Sequence, residues 1–185
     1  SGLALVTLSG LWLCLWQGRV RLLGLAGIMA GLLLLPLTPH PDLRITDDGK
    51  VVGVRLADGG LSVSTRRAGR FDSDEWAKRD GVDPPRTWPK AGTKDGRLTC
   101  DRPDACLYRL GTHNVAIALS PEAVTLLCGS GADLLLTGQS AGDCPVPLII
   151  DLDQVSAKGA HALYLRDGVI QVETARAAPG ARPWQ

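Results

Sequence analysis

Two uncharged apolar runs, SGLALVTLSGLWLCLW over Ser1–Trp16 and LLGLAGIMAGLLLLPL over Leu22–Leu37, are separated only by Gln17-Gly18-Arg19-Val20-Arg21. Helices that are apolar on every face find no adequate cover in a small soluble domain, so the pattern predicts a membrane helical hairpin over residues 1–39. Each run is about 16 residues, short of the roughly 20 that span hydrocarbon at 1.5 Å per residue, so flanking residues or a thinned bilayer must supply the rest. A buried core hairpin and a signal peptide are the competing readings, and the second run with its Arg pair argues against the signal peptide. Short loops bearing Lys and Arg stay cytoplasmic, which sends both outer ends of the hairpin to the opposite side. Gly27 and Gly31 have the small-xxx-small spacing that lets another helix approach closely. Trp12 and Trp16 fit interface anchoring, and Pro36 with Pro39 fits helix termination. The sequence starts at Ser1 with no Met before the apolar stretch, so it is expected to continue upstream.

Arg19 and Arg21 are the only charges before residue 40, and the remaining 37 of the 39 Lys, Arg, Asp and Glu residues follow from Asp42 onward. The chain therefore divides into the hairpin, a soluble domain over 40–176 and a Pro- and Gly-bearing tail over 177–185. A net charge of +1 excludes a basic nucleic-acid coat and a long acidic tail, so any nucleic-acid contact must be a local patch. One such patch is legible: Arg66 to Arg102 holds ten Lys and Arg against seven acids, whereas 103–185 holds five against eight. Arg66, Arg67 and Arg70 are the candidate DNA contacts, through phosphate and hence with little sequence preference. Phe71, Trp76 and Trp88 are candidates for stacking on bases, with core packing the alternative for one or two of them. The competing view of the whole patch is a solvated surface with ion pairs such as Arg79 to Glu75.

Cys14 belongs to the hairpin, leaving Cys100, Cys106, Cys128 and Cys144 in the soluble part. In an oxidising compartment four cysteines make two disulfides, with three possible pairings, of which the local ones, Cys100–Cys106 and Cys128–Cys144, are favoured. Zinc is the rival, but no Cys-x2-Cys spacing occurs and none of the four has a nearby His.

From Asp42 to Thr65 short β-rich runs alternate with Asp47-Asp48-Gly49 and Asp58-Gly59-Gly60, predicting a meander. A short helix is expected after Phe71, capped by Asp72 or Ser73 and running through Lys78. Asp80–Thr99, with Pro84, Pro85 and Pro89, reads as an exposed excursion. Next come strands at CLYRLG and HNVAIALS, a helix opened by Ser120-Pro121-Glu122, and a buried strand at ADLLLTG. VPLIID, a helix near Leu152–Ala157 and a hairpin turning at Asp167-Gly168 complete the domain. The fold class is mixed α+β with α/β character: two membrane helices, then a soluble domain with a meander and a closing hairpin.

His40, His113 and His161 lie in three different settings, and no His-x-His-x-Asp-His cluster, His-Glu-x-x-His helix or Walker loop occurs. Ser120, Ser130 and Ser140 lack a nucleophile-elbow context. Asp151 and Asp153 follow a buried strand, where acids serve either as catalytic groups or as helix caps. No catalytic residue, metal or cofactor is assigned.

The order of these elements resembles the C-terminal end of the ComEC family of competence proteins. The likeness is carried by Thr46–Arg55 (TDDGKVVGVR), Arg66–Phe71 (RRAGRF) with Trp76 and Arg79-Asp80-Gly81, Cys100-Asp101, Ala132–Leu135, Ile149-Ile150-Asp151, Gly159–Leu165 (GAHALYL) and Arg182-Pro183-Trp184. It implies a metallo-β-lactamase-like domain in degenerate form, since the zinc motif of such domains is missing. It also implies a place at the bacterial inner membrane with the domain in the periplasm, assisting entry of single-stranded transforming DNA. The implied partners are that DNA, membrane lipid, upstream channel helices of the same protein and other competence proteins. Two alternatives stay open: a non-zinc hydrolase or nuclease using Asp151, Asp153 and His161, and a disulfide-stapled partner-binding module.

Overall fold

The structure, a computed structural model, describes residues 2–34, 39–82, 84–89, 92–166 and 168–177. It comprises two compact units, Ser1–His40 and Pro41–Gln185. In the first, helices α1 (Gly2–Leu15) and α2 (Leu22–Leu34) form a hairpin through a 3-10 turn at Arg19–Arg21. Trp12 Nε1 donates to the Val20 carbonyl at 3.2 Å and its ring stacks on Trp16, centroids 5.0 Å apart, so the two tryptophans close the turn. The seam between the helices is lined by small residues. A Cβ on Gly24 would stand 2.9 Å from the Ser9 carbonyl oxygen, one on Gly31 would stand 3.1 Å from that of Gly2, and one on Gly27 would strike Ser9 Oγ. The Gly27/Gly31 spacing thus serves the hairpin's own two helices, while Leu3, Leu8, Leu15, Leu22, Met29 and Leu33 are exposed.

Among the described residues no helix is long and apolar enough to cross a membrane. The two helices have 14 and 13 residues, a rise of about 20 Å against a hydrocarbon core of about 30 Å. The expected pair of spanning helices is therefore not what the described residues form. The physical reason is visible at the turn, which takes Trp16, Gln17 and Gly18 out of helical geometry. Pro36, the expected helix stop, lies outside the described residues.

The second unit is built on two mixed sheets. The first has the strand order β11 (Val169–Thr174), β10 (His161–Arg166), β1 (Leu43–Ile45), β2 (Val52–Arg55), β3 (Leu61–Val63), β4 (Arg86–Thr87), and the second β5 (Leu98–Arg102), β6 (Ala105–Leu110), β7 (His113–Ala118), β8 (Leu134–Thr137), β9 (Leu148–Ile150). The meander forms as predicted: β1 (Leu43–Ile45), β2 (Val52–Arg55) and β3 (Leu61–Val63) pair antiparallel, with Leu43 opposite Val54 and Gly53 opposite Val63. Gly49 in the first turn has φ 68°, in the left-handed region, and a Cβ there would stand 2.6 Å from Cα of Gly138, so the turn needs glycine on both counts. Helix α3 (Arg70–Arg79) follows, and then β4 (Arg86–Thr87) lies parallel to β3. The Pro-rich stretch expected to be a free excursion is thereby fastened to the sheet edge, and Trp88 beside it is only 7% exposed.

In the second sheet β5 (Leu98–Arg102), β6 (Ala105–Leu110) and β7 (His113–Ala118) are antiparallel. Helix α4 (Pro121–Leu127) then crosses to β8 (Leu134–Thr137), parallel to β7, and β9 (Leu148–Ile150) continues the parallel run. Ser120 caps α4 by accepting from the Ala123 amide at 3.1 Å, with Pro at the first helical position. After α5 (Leu152–Lys158), β10 (His161–Arg166) and β11 (Val169–Thr174) return to the first sheet, β10 pairing with β1. Gly168 sits in the closing turn with φ 80°, while Asp167 and the tail motif Arg182-Pro183-Trp184 lie outside the described residues.

Alternation along each strand sorts the side chains into layers. Val52, Val54, Leu43 and Leu163 of the first sheet meet Val115, Ile117, Leu134 and Leu136 of the second in the central core. On the outer face of the second sheet Ala116, Ala118 and Leu135 pack under Ala123, Val124 and Leu127 of α4. On the outer face of the first, Val51, Leu61 and Val63 pack under Ala77 and Trp76 of α3. The order is helix, sheet, sheet, helix. Two disulfides, Cys100–Cys106 across β5 and β6 and Cys128–Cys144 across the loops flanking β8, close short segments, and Cys14 is a free cysteine.

Candidate nucleic-acid interface

The segment from Ser64 to Phe71 leaves β3 and turns into α3. The helix begins at Arg70 with Gly69 as N-cap and no side-chain cap, so neither Asp72 nor Ser73 plays the expected capping role. Ser73 instead donates from Oγ to the Arg70 carbonyl at 3.0 Å. The cap lies earlier because Gly69 rests on Val51: a Cβ at this position would collide with Val51 Cγ2, and only glycine lets the chain enter the helix that close to the sheet.

The far end of α3 is anchored differently. Trp76 lies against Gly53, whose absent side chain leaves room for the ring, and the Arg44 guanidinium lies 5.9 Å from the ring centroid. Arg44 Nη2 meets Asp80 Oδ1 at 2.6 Å, with side chains only 9% and 4% exposed, and Nη1 donates to the Trp76 carbonyl at 3.4 Å. This buried pair was not among the expected features, although Arg44 sits in an apolar strand pattern, which is the signal that could have found it.

The three candidate arginines converge at the head of α3. Arg66 Nη2 donates to Asp74 Oδ1 at 3.2 Å, and Arg70 Nε lies 3.7 Å from Asp74 Oδ2. One carboxylate thus serves two guanidiniums, and the buried Nε of Arg66 has no hydrogen-bond partner. Arg67 is exposed and forms no ion pair among the described residues. With one paired carboxylate for three guanidiniums the cluster keeps a surplus of positive charge, and its pairs are half-buried at Arg66 and exposed at Arg70, the latter of the kind worth about 0–1 kcal/mol.

Of the later cations of the basic segment, Lys78, Lys94 and Arg97 form no ion pair among the described residues, and three others are occupied. Arg79 pairs with Glu75 at 3.4 Å, Arg86 with Asp58 at 3.1 Å and Arg102 with Asp104 at 3.3 Å, while Lys90 lies outside the described residues. Asp58 and Asp104 are held below the usual carboxylate range, the first mainly by the Gly60 amide and the second mainly by the Ser120 hydroxyl. The aromatics separate as well. Trp88 is buried in the central core and Trp76 is half-buried against the first sheet, whereas Phe71 is 82% exposed.

Of the residues of the hydrolase alternative, Asp151 and His161 are engaged in the fold, and Asp153 is exposed in the first turn of α5. Asp151 caps α5, Oδ1 accepting from the Gln154 amide at 3.1 Å and Oδ2 from the Ala141 amide at 3.4 Å. His161 is buried, its Nδ1–H donating to the Gly159 carbonyl at 2.7 Å, and burial holds its pKa below the usual histidine value. Ser120 donates to Asp104 at 2.6 Å besides capping α4, and Ser130 donates to the Leu127 carbonyl at 2.7 Å. Among the described residues no group of three or more His, Cys, Asp and Glu could hold a metal ion. Set against protein-family models, curated proteins and solved structures, the chain finds no match.

Proposed function

We propose that the chain is the C-terminal membrane and periplasmic part of a ComEC-type competence channel, assisting passage of single-stranded DNA across the bacterial inner membrane without a zinc nuclease centre of its own. The hairpin supports this reading through its exposed leucines, which in lipid meet acyl chains rather than water. The described helices rise only about 20 Å, so in this arrangement flanking residues or a thinned bilayer complete the crossing, the two arginines face the cytoplasm and the domain lies on the periplasmic side, where its two disulfides are stable. The helix–sheet–sheet–helix layering agrees with a metallo-β-lactamase-like domain in degenerate form. The channel pathway itself belongs to upstream helices of the same protein, with other competence proteins as further partners.

The observation that carries the DNA reading is that Arg66 and Arg70 share the single carboxylate of Asp74 while Arg67 stands exposed beside them with no ion pair among the described residues. The test is a titration of the full chain in mild detergent with a single-stranded oligonucleotide over a range of salt. Three phosphate contacts correspond to a log–log salt slope of about −2, and the Arg66→Ala/Arg67→Ala/Arg70→Ala variant should lose that slope together with affinity. The Arg67→Ala/Arg70→Ala variant, which spares the partly buried Arg66, should show most of the loss. Equal affinity for wild type and both variants removes the DNA role from this patch.

A further inference from the structure

We infer that Phe71 is the base-stacking residue of this interface and makes it selective for single-stranded over duplex DNA; the inference rests on the reading that the arginine cluster meets DNA. Phe71 is the most exposed large hydrophobic side chain described in the Pro41–Gln185 unit, at 82% against 65% for Val169. It stands in the first turn of α3 directly after Arg70, whose side chain is 80% exposed, and four residues after the exposed Arg67. At helical spacing its neighbours along the same face are Asp74, Glu75 and Lys78, so no apolar stripe continues from the ring.

That isolation selects the occupant. A face that lies in a bilayer or docks a protein presents contiguous apolar area, and α3 offers one ring among charges, with three basic and three acidic residues along its length. A nucleotide asks for less: one ring face for the base, with cations beside it for the phosphates. In a duplex the bases are already stacked inward and only the phosphates are within reach, so the arginines serve both forms of DNA while the ring serves the single strand alone.

The test compares wild type, Phe71→Ala, Phe71→Trp and Arg67→Ala/Arg70→Ala as full chains in mild detergent, with a 20-nucleotide oligo-dT and a 20-base-pair duplex as probes. Phe71→Ala should bind oligo-dT about 5- to 150-fold more weakly and leave duplex affinity within about twofold. The extra emission of Phe71→Trp over wild type should be quenched by oligo-dT, and the arginine variant should lose affinity for both probes. Unchanged oligo-dT binding by Phe71→Ala, or an equal loss for both probes, overturns the stacking role while leaving the arginine reading intact. Unchanged binding by the arginine variant refutes that underlying reading instead. Extra Trp emission that ignores oligo-dT and shifts blue on phosphatidylglycerol vesicles assigns the ring to lipid and overturns the inference.

Discussion

Removing Asp80 should damage this protein far more than removing any exposed acid, because of what it leaves behind. The carboxylate lies 2.6 Å from Arg44 in a site where neither side chain is more than 9% exposed. Asp80 also sits at the C-terminal end of α3, where a negative charge is disfavoured by the helix dipole by about 0.3–1 kcal/mol, so its presence there is explained by Arg44 and by nothing in the helix. Asp80→Ala strands a buried guanidinium, and breaking such a pair on one side costs about 3–5 kcal/mol. At about 3 °C per kcal/mol for a chain of this size, the melting temperature should fall by about 9–15 °C. Glu75→Ala, which removes the exposed partner of Arg79 on the same helix, should cost only about 0–0.5 kcal/mol. Replacing both members, as Arg44→Met/Asp80→Leu, should recover most of the loss, since apolar residues of similar volume tolerate that site. Urea and thermal unfolding of the full chain in mild detergent, followed by circular dichroism, measure all four. Asp80→Ala and Glu75→Ala shifting the midpoint equally, or the double variant being as unstable as Asp80→Ala, would refute the reasoning.

Other consequences follow from particular contacts. Loop sizes of 16 and 6 residues make the Cys128–Cys144 bridge worth about 3 kcal/mol and the Cys100–Cys106 bridge about 2 kcal/mol by chain entropy, so Cys128→Ala/Cys144→Ala should lower the urea midpoint more than Cys100→Ala/Cys106→Ala. Gly27→Leu should push α1 and α2 apart, because its side chain must enter the space held by Ser9; the distance between spin labels on Leu8 and Met29 should lengthen and broaden. His161 titrates below its usual pKa in the fold, so the unfolded chain takes up the proton first. Its contribution is complete above about pH 6.5 and is lost as the pH falls from there through the lowered folded value. Between pH 7.5 and 5.5 the wild type should lose more stability than His161→Asn, and parallel losses would contradict this.

The parts of the fold that were legible in the sequence are those decided within a few residues. Asp47-Asp48-Gly49 and Asp58-Gly59-Gly60 give turns because Gly49 and Gly59 adopt positive φ, and Ser120-Pro121-Glu122 gives a cap because hydroxyl, ring and acid act within one helical turn. The misread parts depend on contacts across the chain. Gly69 displaces the expected cap because it touches Val51, eighteen positions away on the sheet, and no local signal reports that approach. Strand β4 is two residues long, below the reach of any periodicity, and is held by a parallel neighbour far upstream. The buried Arg44 breaks the rule that charges mark the surface, since its partner Asp80 lies on a different element.

The candidate interface shows the same division, and the difference bears on function. Counting charges between Arg66 and Arg102 suggests a broad basic face, yet folding returns Arg79, Arg86 and Arg102 to acids within 3.4 Å, while Lys78, Lys94 and Arg97 form no ion pair among the described residues and the candidate arginines gather at the head of α3. Aromatic residues undergo the same sorting: of Phe71, Trp76 and Trp88, the two tryptophans have apolar pockets to fill, and the smaller ring is left outside. The fold leaves Arg67, Arg70 and Phe71 exposed together where the chain enters α3. On the proposed reading, a strand of DNA at that site would meet Arg67, Arg70 and Phe71 together, and a phosphate would compete with Asp74 for Arg66 and Arg70. Asp74→Ala should therefore raise affinity for single-stranded DNA by releasing two guanidiniums from their competitor, an effect opposite in sign to that of every arginine substitution. Anisotropy titration at low salt measures it, and weaker binding by Asp74→Ala would mean that the carboxylate orients the arginines more than it competes for them.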